Sequence, residues 1–163
     1  MVTLLLSAPG SSPSPAAEYR MISGLDLSLF GCMSNPGYYL FSSEADLDEQ
    51  IKDAPVRHCG ATDMAPLKSK FLQSLRPAGL QWREEALVVL QEWYGTGMAK
   101  AHIDLRFAAP GVLEATVVWK VPPPPLTPDT ASFSCAFAVK KSAVSKIVIR
   151  GQSPKPITLN IEK

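Results

Sequence analysis

The sequence predicts an α+β fold in which an antiparallel, curved β-sheet of about six to seven strands carries two short helices. Across residues 87–161, apolar and polar side chains alternate with a period of two, as expected for strands with one buried face. Residues 43–76 instead repeat apolar side chains at helical spacing. Together the two patterns predict a sheet covered by helices.

The alternation locates most of the strands. In one segment, Ile103, Leu105 and Phe107 alternate with polar neighbours. A short strand is also predicted at residues 37–41. Residues 87–90 are apolar on both faces, which predicts a central strand covered by the helices on one side and by more sheet or loop on the other. The clearest alternating segments are residues 98–107, 112–121, 132–140 and 157–161.

Two helices are predicted before the central strand. Ser43 and Asp46 resemble a capping box and predict a helix that runs to about Lys52. A second helix is expected to begin at residue 62 or 63, and Pro77 ends it. Its apolar face consists of Leu67, Phe71, Leu72 and Leu75.

The chain of 163 residues fits one domain. Residues 1–35 are expected to form a flexible leader and an irregular segment, and residues 36–163 a single α+β domain. The apolar stretch near the start is too short for a signal peptide, and no apolar run is long enough for a transmembrane helix. These features predict a soluble protein, and the sequence assigns neither a compartment nor an oligomeric state.

The polar residues form no recognisable catalytic, cofactor-binding or metal-binding set. Of the two histidines, His102 falls on the polar face of a predicted strand and His58 adjoins Cys59. No paired cysteine spacing suggests a zinc site, and no separated pair of carboxylates suggests a glycosidase. We therefore expect no enzyme, no cofactor and no metal ion.

The cysteines leave two alternatives open. Cys32 and Cys59 flank the first predicted helix, so they are candidates for a disulfide in an oxidising compartment and remain two thiols in a reducing one. Cys135 lies on the apolar face of its strand and is expected to be an inert core thiol.

A basic run follows the predicted strand at residues 132–140. It would either attract an anionic partner or discourage pairing between strand edges. Aromatic residues do not interleave with it, so we expect no nucleic-acid partner. The run consists of Lys140, Lys141, Lys146, Arg150 and Lys155, with no acid between them.

Two loops interrupt the predicted sheet. Residues 94–97, Tyr-Gly-Thr-Gly, are expected to form a tight or bulged hairpin with glycines at positive φ. Residues 122–125 are prolines and are expected to form an extended polyproline II connection. Trp93 is predicted to share the face of Leu87 and Val89, so Tyr94 is expected to be the more exposed of the two aromatic residues. The candidate partner contacts are Trp93, Tyr94, Thr96, Met98, Pro123 and Pro124.

Residues 38–150 resemble the PrcB-type C-terminal domain of bacterial protease-complex subunits. The resemblance rests on the strand 87–90, the Gly-Thr-Gly loop, the strands 98–107 and 112–121, the turn at Gly111, the proline tract and the strand ending Val-Lys-Lys. Thr96 and Gly97 match the family's loop, whereas Met98 and Ala99 stand where that family has Gly and Tyr. The resemblance implies a noncatalytic, extracytoplasmic module that binds a protein partner, such as a protease.

Two functions are carried forward. The first is a noncatalytic protein-binding module, an accessory or inhibitor-like partner of a bacterial protease complex. The alternative is a small-molecule-binding carrier or enzyme with a cavity between the helices and the sheet.

Overall fold

The computed structural model describes residues 18–33, 36–52 and 65–162, which form eight strands, three α-helices and a 3₁₀ turn. Three layers result: the helices, an inner sheet and an outer sheet. In chain order the elements are β1 (Tyr19–Ile22), α1 (Ser28–Met33), β2 (Gly37–Phe41), α2 (Glu44–Lys52), α3 (Ala65–Leu75), the 3₁₀ turn (Arg76–Ala78), β3 (Glu85–Tyr94), β4 (Lys100–Ala109), β5 (Val112–Lys120), β6 (Ala131–Lys140), β7 (Lys146–Arg150) and β8 (Ile157–Asn160).

The inner sheet is antiparallel and has the strand order β1-β6-β3-β2. Strand β3 is buried on both faces over its first eight residues, as its run of apolar residues predicts. Leu87 and Val89 face the helices, whereas Val88 and Leu90 face the outer sheet. The prediction of a central strand covered on both sides is therefore confirmed.

The outer sheet has the strand order β4-β5-β7-β8. It is mixed, because β5 and β7 pair in parallel while the other neighbours are antiparallel. Alternate residues of β5 and β7, including Leu113, Ala115, Ile147 and Ile149, pack against the inner sheet. Their neighbours on the strand face outward.

The helix layer is held by an aromatic cluster on the inner sheet. Phe30 of α1 meets Phe71 of α3 edge to face, with ring centroids 4.9 Å apart, and also contacts Tyr39 and Phe41 of β2. The apolar face predicted for the second helix is confirmed, with Phe71 and Leu75 buried and Leu67 and Leu72 partly buried.

The predicted start of the first long helix is also confirmed. The hydroxyl of Ser43 accepts the N–H of Asp46 at 3.0 Å, and the carboxylate of Asp46 accepts the N–H of Ser42 at 2.8 Å. Helix α2 then ends at Lys52, as expected.

The predicted α+β class is confirmed, but the strands form two four-stranded sheets instead of one curved sheet. The connection 95–99 leads from β3 in the inner sheet to β4 in the outer sheet, so the predicted hairpin is wrong. Gly95 and Gly97 do not have positive φ either. Covering both faces of β3 requires the chain to leave the inner sheet at this point.

Part of the segment expected to be irregular is ordered. Within residues 1–35, β1 pairs with β6 and α1 contributes Leu29 and Phe30 to the core. Residues 1–17, which include the predicted leader, lie outside the described residues, as do 34–35, 53–64 and 163.

An ion pair fastens β1 to the rest of the fold. The Arg20 guanidinium donates to both carboxylate oxygens of Glu85 at 2.9 and 3.0 Å and to the carbonyl of Ala78 at 3.0 Å. The hydrogen bond from Arg20 lowers the pKa of Glu85 below its ordinary value of 4.5.

We predict that the ion pair between Arg20 and Glu85 makes the free energy of unfolding depend on pH in the acidic range. The pKa of Glu85 is lower in the folded state than in the unfolded state. The contribution of the ion pair to the free energy of unfolding is therefore present above pH 4.5 and is lost as the pH falls through the folded-state pKa. A double-mutant cycle of Arg20→Gln and Glu85→Gln, measured by urea unfolding, should give a coupling of about 1 kcal/mol at neutral pH. The coupling should vanish in strong acid, and a coupling that persists there would contradict the prediction.

Candidate functional site

Two of the three connections between the sheets, residues 95–99 and 121–130, lie side by side at one end of the molecule. The hydroxyls of Thr96 and Thr127 are hydrogen-bonded at 3.3 Å, and the N–H of Gly97 donates to the carboxylate of Asp129 at 3.2 Å. The hydrogen bonds from Thr127 and Gly97 lower the pKa of Asp129. Two segments far apart in sequence are therefore joined into one surface.

This end of the molecule exposes apolar side chains. Among the described residues, the large hydrophobic side chains that are most exposed are Met21, Met98, Val121 and Leu126. Three of these four lie on the two connections, beside the exposed Pro123 and Pro124. The Pro124–Pro125 bond is cis, and the polyproline II conformation of the tract stays a prediction. We call the surface formed by Met98, Val121, Pro123, Pro124 and Leu126 the crossover face.

The other predicted contact residues occupy different positions. Thr96 is only 2% exposed and is hydrogen-bonded to Thr127, and its role as a partner contact stays a prediction. Trp93 lies on the helix side of β3, as its place in the alternation predicts. Tyr94 lies on the opposite side and packs on Trp119 with ring centroids 5.2 Å apart, so it is half-buried.

A buried carboxylate lies near the end of β3, shortly before the connection 95–99. Glu92 is fully buried and accepts hydrogen bonds from the hydroxyl of Tyr38, the indole N–H of Trp119 at 2.9 Å and the backbone N–H of Gln152 at 3.0 Å. Burial and the hydrogen bond to Glu92 raise the pKa of Tyr38, which keeps its hydroxyl protonated as a donor. The network joins the two sheets and fixes the indole on which Tyr94 rests.

The sequence analysis missed Glu92. The signal is present, however, because Val88, Leu90 and Glu92 follow one another on the same face of β3. An acidic residue that continues an apolar face is expensive to bury without partners, so it indicates a buried hydrogen-bond network.

A groove of about 540 Å³ opens on the helix side of the same sheet end. Gln91 is buried at its base and is hydrogen-bonded to Ser134, and the ring of Trp93 forms one wall. None of the lining residues is charged. They are Leu25, Leu27, Ser28, Gly31, Cys32, Gln91, Trp93, Ser132 and Ser134. This groove is the feature of the described residues closest to the cavity expected between the helices and the sheet.

The cysteines differ in state. Cys32 is disulfide-bonded, whereas Cys135 is a free thiol. Burial, together with the negative charge of Glu92, raises the pKa of Cys135 to about 12. Cys59, its neighbour His58 and the predicted start of the second helix lie outside the described residues, so the pairing of Cys32 with Cys59 stays a prediction.

The basic run includes a structural lysine. The ammonium of Lys141 donates to the carbonyls of Ser42 and Trp82 at 2.6 and 2.7 Å, so it joins the end of β2 to the segment before β3. Arg150 instead shares the buried carboxylate of Glu114 with Arg106 on the outer sheet. The remaining histidine, His102, is exposed 3.7 Å from Asp104.

The described residues contain neither a metal-binding cluster nor a membrane-spanning helix. No group of three or more His, Cys, Asp or Glu residues is placed to hold a metal ion. No helix in the same part of the chain has the length and apolar character needed to cross a membrane.

Comparison with known proteins identifies no relative. No protein-family model matches the chain, and no curated protein or solved structure matches it. The PrcB-type resemblance therefore stays a prediction, and a proposal for the function has to be argued from the geometry of the molecule.

We predict that Gly151 is required for the Glu92 network. A Cβ there would overlap Oε1 of Glu92 and come within 3.1 Å of the Tyr38 hydroxyl. Gly151→Ala should therefore displace the carboxylate and lower the free energy of unfolding by about 2 to 4 kcal/mol. Gly95→Ala is the control, because a Cβ there has no neighbour within 4 Å. Equal melting temperatures for the two variants would contradict this role.

The cysteine states predict a distinct alkylation pattern. In the native protein at neutral pH, iodoacetamide should leave Cys135 unmodified, because its thiolate form is scarce. In the unfolded protein without reductant, mass spectrometry should show one modified thiol if Cys32 is bridged to Cys59. Three modified thiols would exclude the bridge.

Proposed function

We propose that this chain is a noncatalytic protein-binding module that contacts its partner through the crossover face. One observation carries the proposal: three of the four most exposed large apolar side chains lie on two connections that hydrogen bonds join into one surface. Apolar side chains gathered in this way mark interaction sites, whereas single exposed ones are ordinary.

The construction of the crossover face supports this function. The contacts of Thr96 with Thr127 and of Gly97 with Asp129 hold the connections together, and prolines restrict the backbone of the longer one. A preorganised surface loses less conformational entropy on binding than a flexible loop. The apolar side chains are therefore already placed for a partner.

The chemically active groups near the crossover face favour binding over catalysis. The carboxylate of Glu92 is fully buried and already accepts three hydrogen bonds. The thiol of Cys135, with a pKa of about 12, is a poor nucleophile at neutral pH. Neither group is therefore in a state suited to general-base or nucleophilic catalysis.

The partner that we propose is a protein, and the PrcB-type resemblance makes a component of a bacterial protease complex the first choice. In that case the module acts as an accessory or inhibitor-like subunit. Apolar, proline-containing surfaces suit either role, because both depend on burying apolar area against another protein.

A small-molecule carrier or enzyme is the second candidate. The groove beside α1 favours it, since its volume of about 540 Å³ falls in the range of ligand pockets and its walls combine an aromatic ring with neutral hydrogen-bonding groups. A metabolite retained through native purification and detected by mass spectrometry would support this candidate.

Partner capture tests the first proposal. The immobilised protein should retain a partner from an extract of the source organism, and the double variant Met98→Ser/Leu126→Ser should lose it. Both residues are exposed, so the melting temperature should change little. Met21→Ser is the control, because Met21 is 49% exposed but lies on β1, outside the crossover face.

The captured partner should then be purified and its affinity measured by calorimetry. We expect the double variant to weaken binding by about tenfold or more and Met21→Ser to leave it unchanged. Equal affinity for the double variant and the wild type would exclude the crossover face as the contact surface.

A further inference from the structure

Strand β6 has a paired strand along the whole of one side but along only part of the other. It pairs with β3 along its whole length, from Ala131 to Lys140, but β1 pairs only with its residues 136–139. Residues 131–135 therefore form an edge of the inner sheet. Within the described part of the chain, no strand pairs with these five residues on that side.

The bend after β1 leaves this edge open. Ile22 is the last residue of β1 and lies opposite Ala136. Gly24 follows with φ of 78°, a left-handed conformation that turns the chain away from β6 and towards α1. A straight continuation of β1 would have covered the remaining residues of β6.

The direction of the free backbone groups follows from the pairing. The N–H of Lys140 donates to Glu18 on the β1 side at 2.9 Å, whereas the N–H of Lys141 donates to Glu84 on the β3 side at 2.8 Å. The register between β6 and β3 is unbroken, so alternate residues direct their backbone groups to the same side. Ser132 and Ser134 therefore present N–H and C=O groups to the open edge, and both residues are exposed.

Two other sheet edges, those of β4 and β2, carry protection that this one lacks. On β4, charged residues alternate along the strand, and the hydroxyl of Tyr19 donates to the carbonyl of Leu105 at 3.3 Å. On β2, the side-chain amide of Gln50 donates to the carbonyl of Leu40 at 3.0 Å. Residues 131–135, Ala-Ser-Phe-Ser-Cys, contain neither a charge nor a proline, which are common means of blocking an edge.

The groove beside α1 adjoins this edge on the helix side. Ser132 and Ser134 line it together with Trp93 and Gln91. A residue placed opposite either serine in an added strand would direct its side chain to the same face, and so into the groove. Because the lining residues are uncharged and include the ring of Trp93, the groove suits an apolar or aromatic side chain.

The geometry points to strand addition at this edge: an extended segment of a partner protein pairs with residues 131–135 and inserts an apolar side chain into the groove beside α1. At about 3.3 Å per residue, a segment of roughly five residues spans the edge. The inference deepens the proposed function and rests on it, because it states how the bound protein is held. Ser132 begins where the connection 121–130 ends, so the edge is continuous with the crossover face.

Amide hydrogen exchange tests whether the edge is open. In the free protein, the amides of Ser132 and Ser134 should exchange rapidly, whereas those of Phe133 and Cys135, which are directed towards β3, should exchange slowly. Uniform protection of all four amides would overturn the inference, because it would mean that the edge is already covered.

A phage-displayed library of random dodecapeptides tests strand addition itself. Selection on the immobilised full chain should enrich peptides with alternating apolar residues, and a synthetic enriched peptide should protect the amides of Ser132 and Ser134. Failure to enrich any peptide, or peptides that leave these amides unprotected, would overturn the inference.

Two pairs of variants separate the backbone contribution from the groove. Ser134→Pro removes the edge N–H without breaking a backbone bond to β3 and should weaken peptide binding by about tenfold or more, whereas Ser134→Ala keeps the N–H and should weaken binding less. Gly31→Leu should block the groove, because a Cβ at Gly31 would lie 3.8 Å from the Trp93 ring. Gly31→Ala adds only a methyl group and should weaken binding less than Gly31→Leu.

Comparison with the crossover face distinguishes the two proposals. If Met98→Ser/Leu126→Ser abolishes partner capture while Ser134→Pro and Gly31→Leu leave it intact, the crossover face stands and strand addition is overturned. If the free protein is a dimer that Ser134→Pro dissociates, the edge pairs with a second copy of this chain and the partner-segment inference is again overturned. Loss of capture in Ser134→Pro with retention in Ser134→Ala supports strand addition.

Discussion

Strand β3 imposes the constraint on which the rest of the structure depends, because its residues 85–92 are buried on both faces. One sheet with helices on a single side would leave Val88 and Leu90 in water. The second face must be covered, and at about 25 cal/mol per Å² of apolar surface the free energy at stake is several kcal/mol. The outer sheet provides that cover, so the chain has to cross between sheets.

These crossings also create the candidate site. Connections 95–99 and 121–130 lie at the same end, since β3 and β5 both finish there while β4 and β6 both begin there. Glu92 and Trp119 close the core just beneath them with polar contacts that apolar packing alone would not specify. The exposed Met98 and Leu126 lie on connections that the two-sheet architecture requires, so the proposed contact surface follows from that architecture.

Local patterns in the sequence predicted the positions of the helices and strands well, but they did not predict which strands lie next to each other. The alternation around Phe107 and Phe137 located β4 and β6, and Ser43 with Asp46 located α2. A period of two reports which face is buried but not which strand lies alongside, so the division into two sheets was not visible. The burial of Thr96 likewise depends on Thr127, a residue distant in sequence, and the four residues of β1 are too few to show a period.

The connection 121–130 can change in sequence and length without changing the pairing of the strands that it joins. In a hairpin, a change in loop length shifts the register of the paired strands and can turn buried side chains outward. Residues 121–130 instead join strands of different sheets. The register of β5 is set by its neighbours β4 and β7, and the register of β6 is set by its neighbours β3 and β1. New sequences grafted into this connection would leave the ladders of both sheets unchanged, which makes the fold a scaffold for selecting new binding specificities.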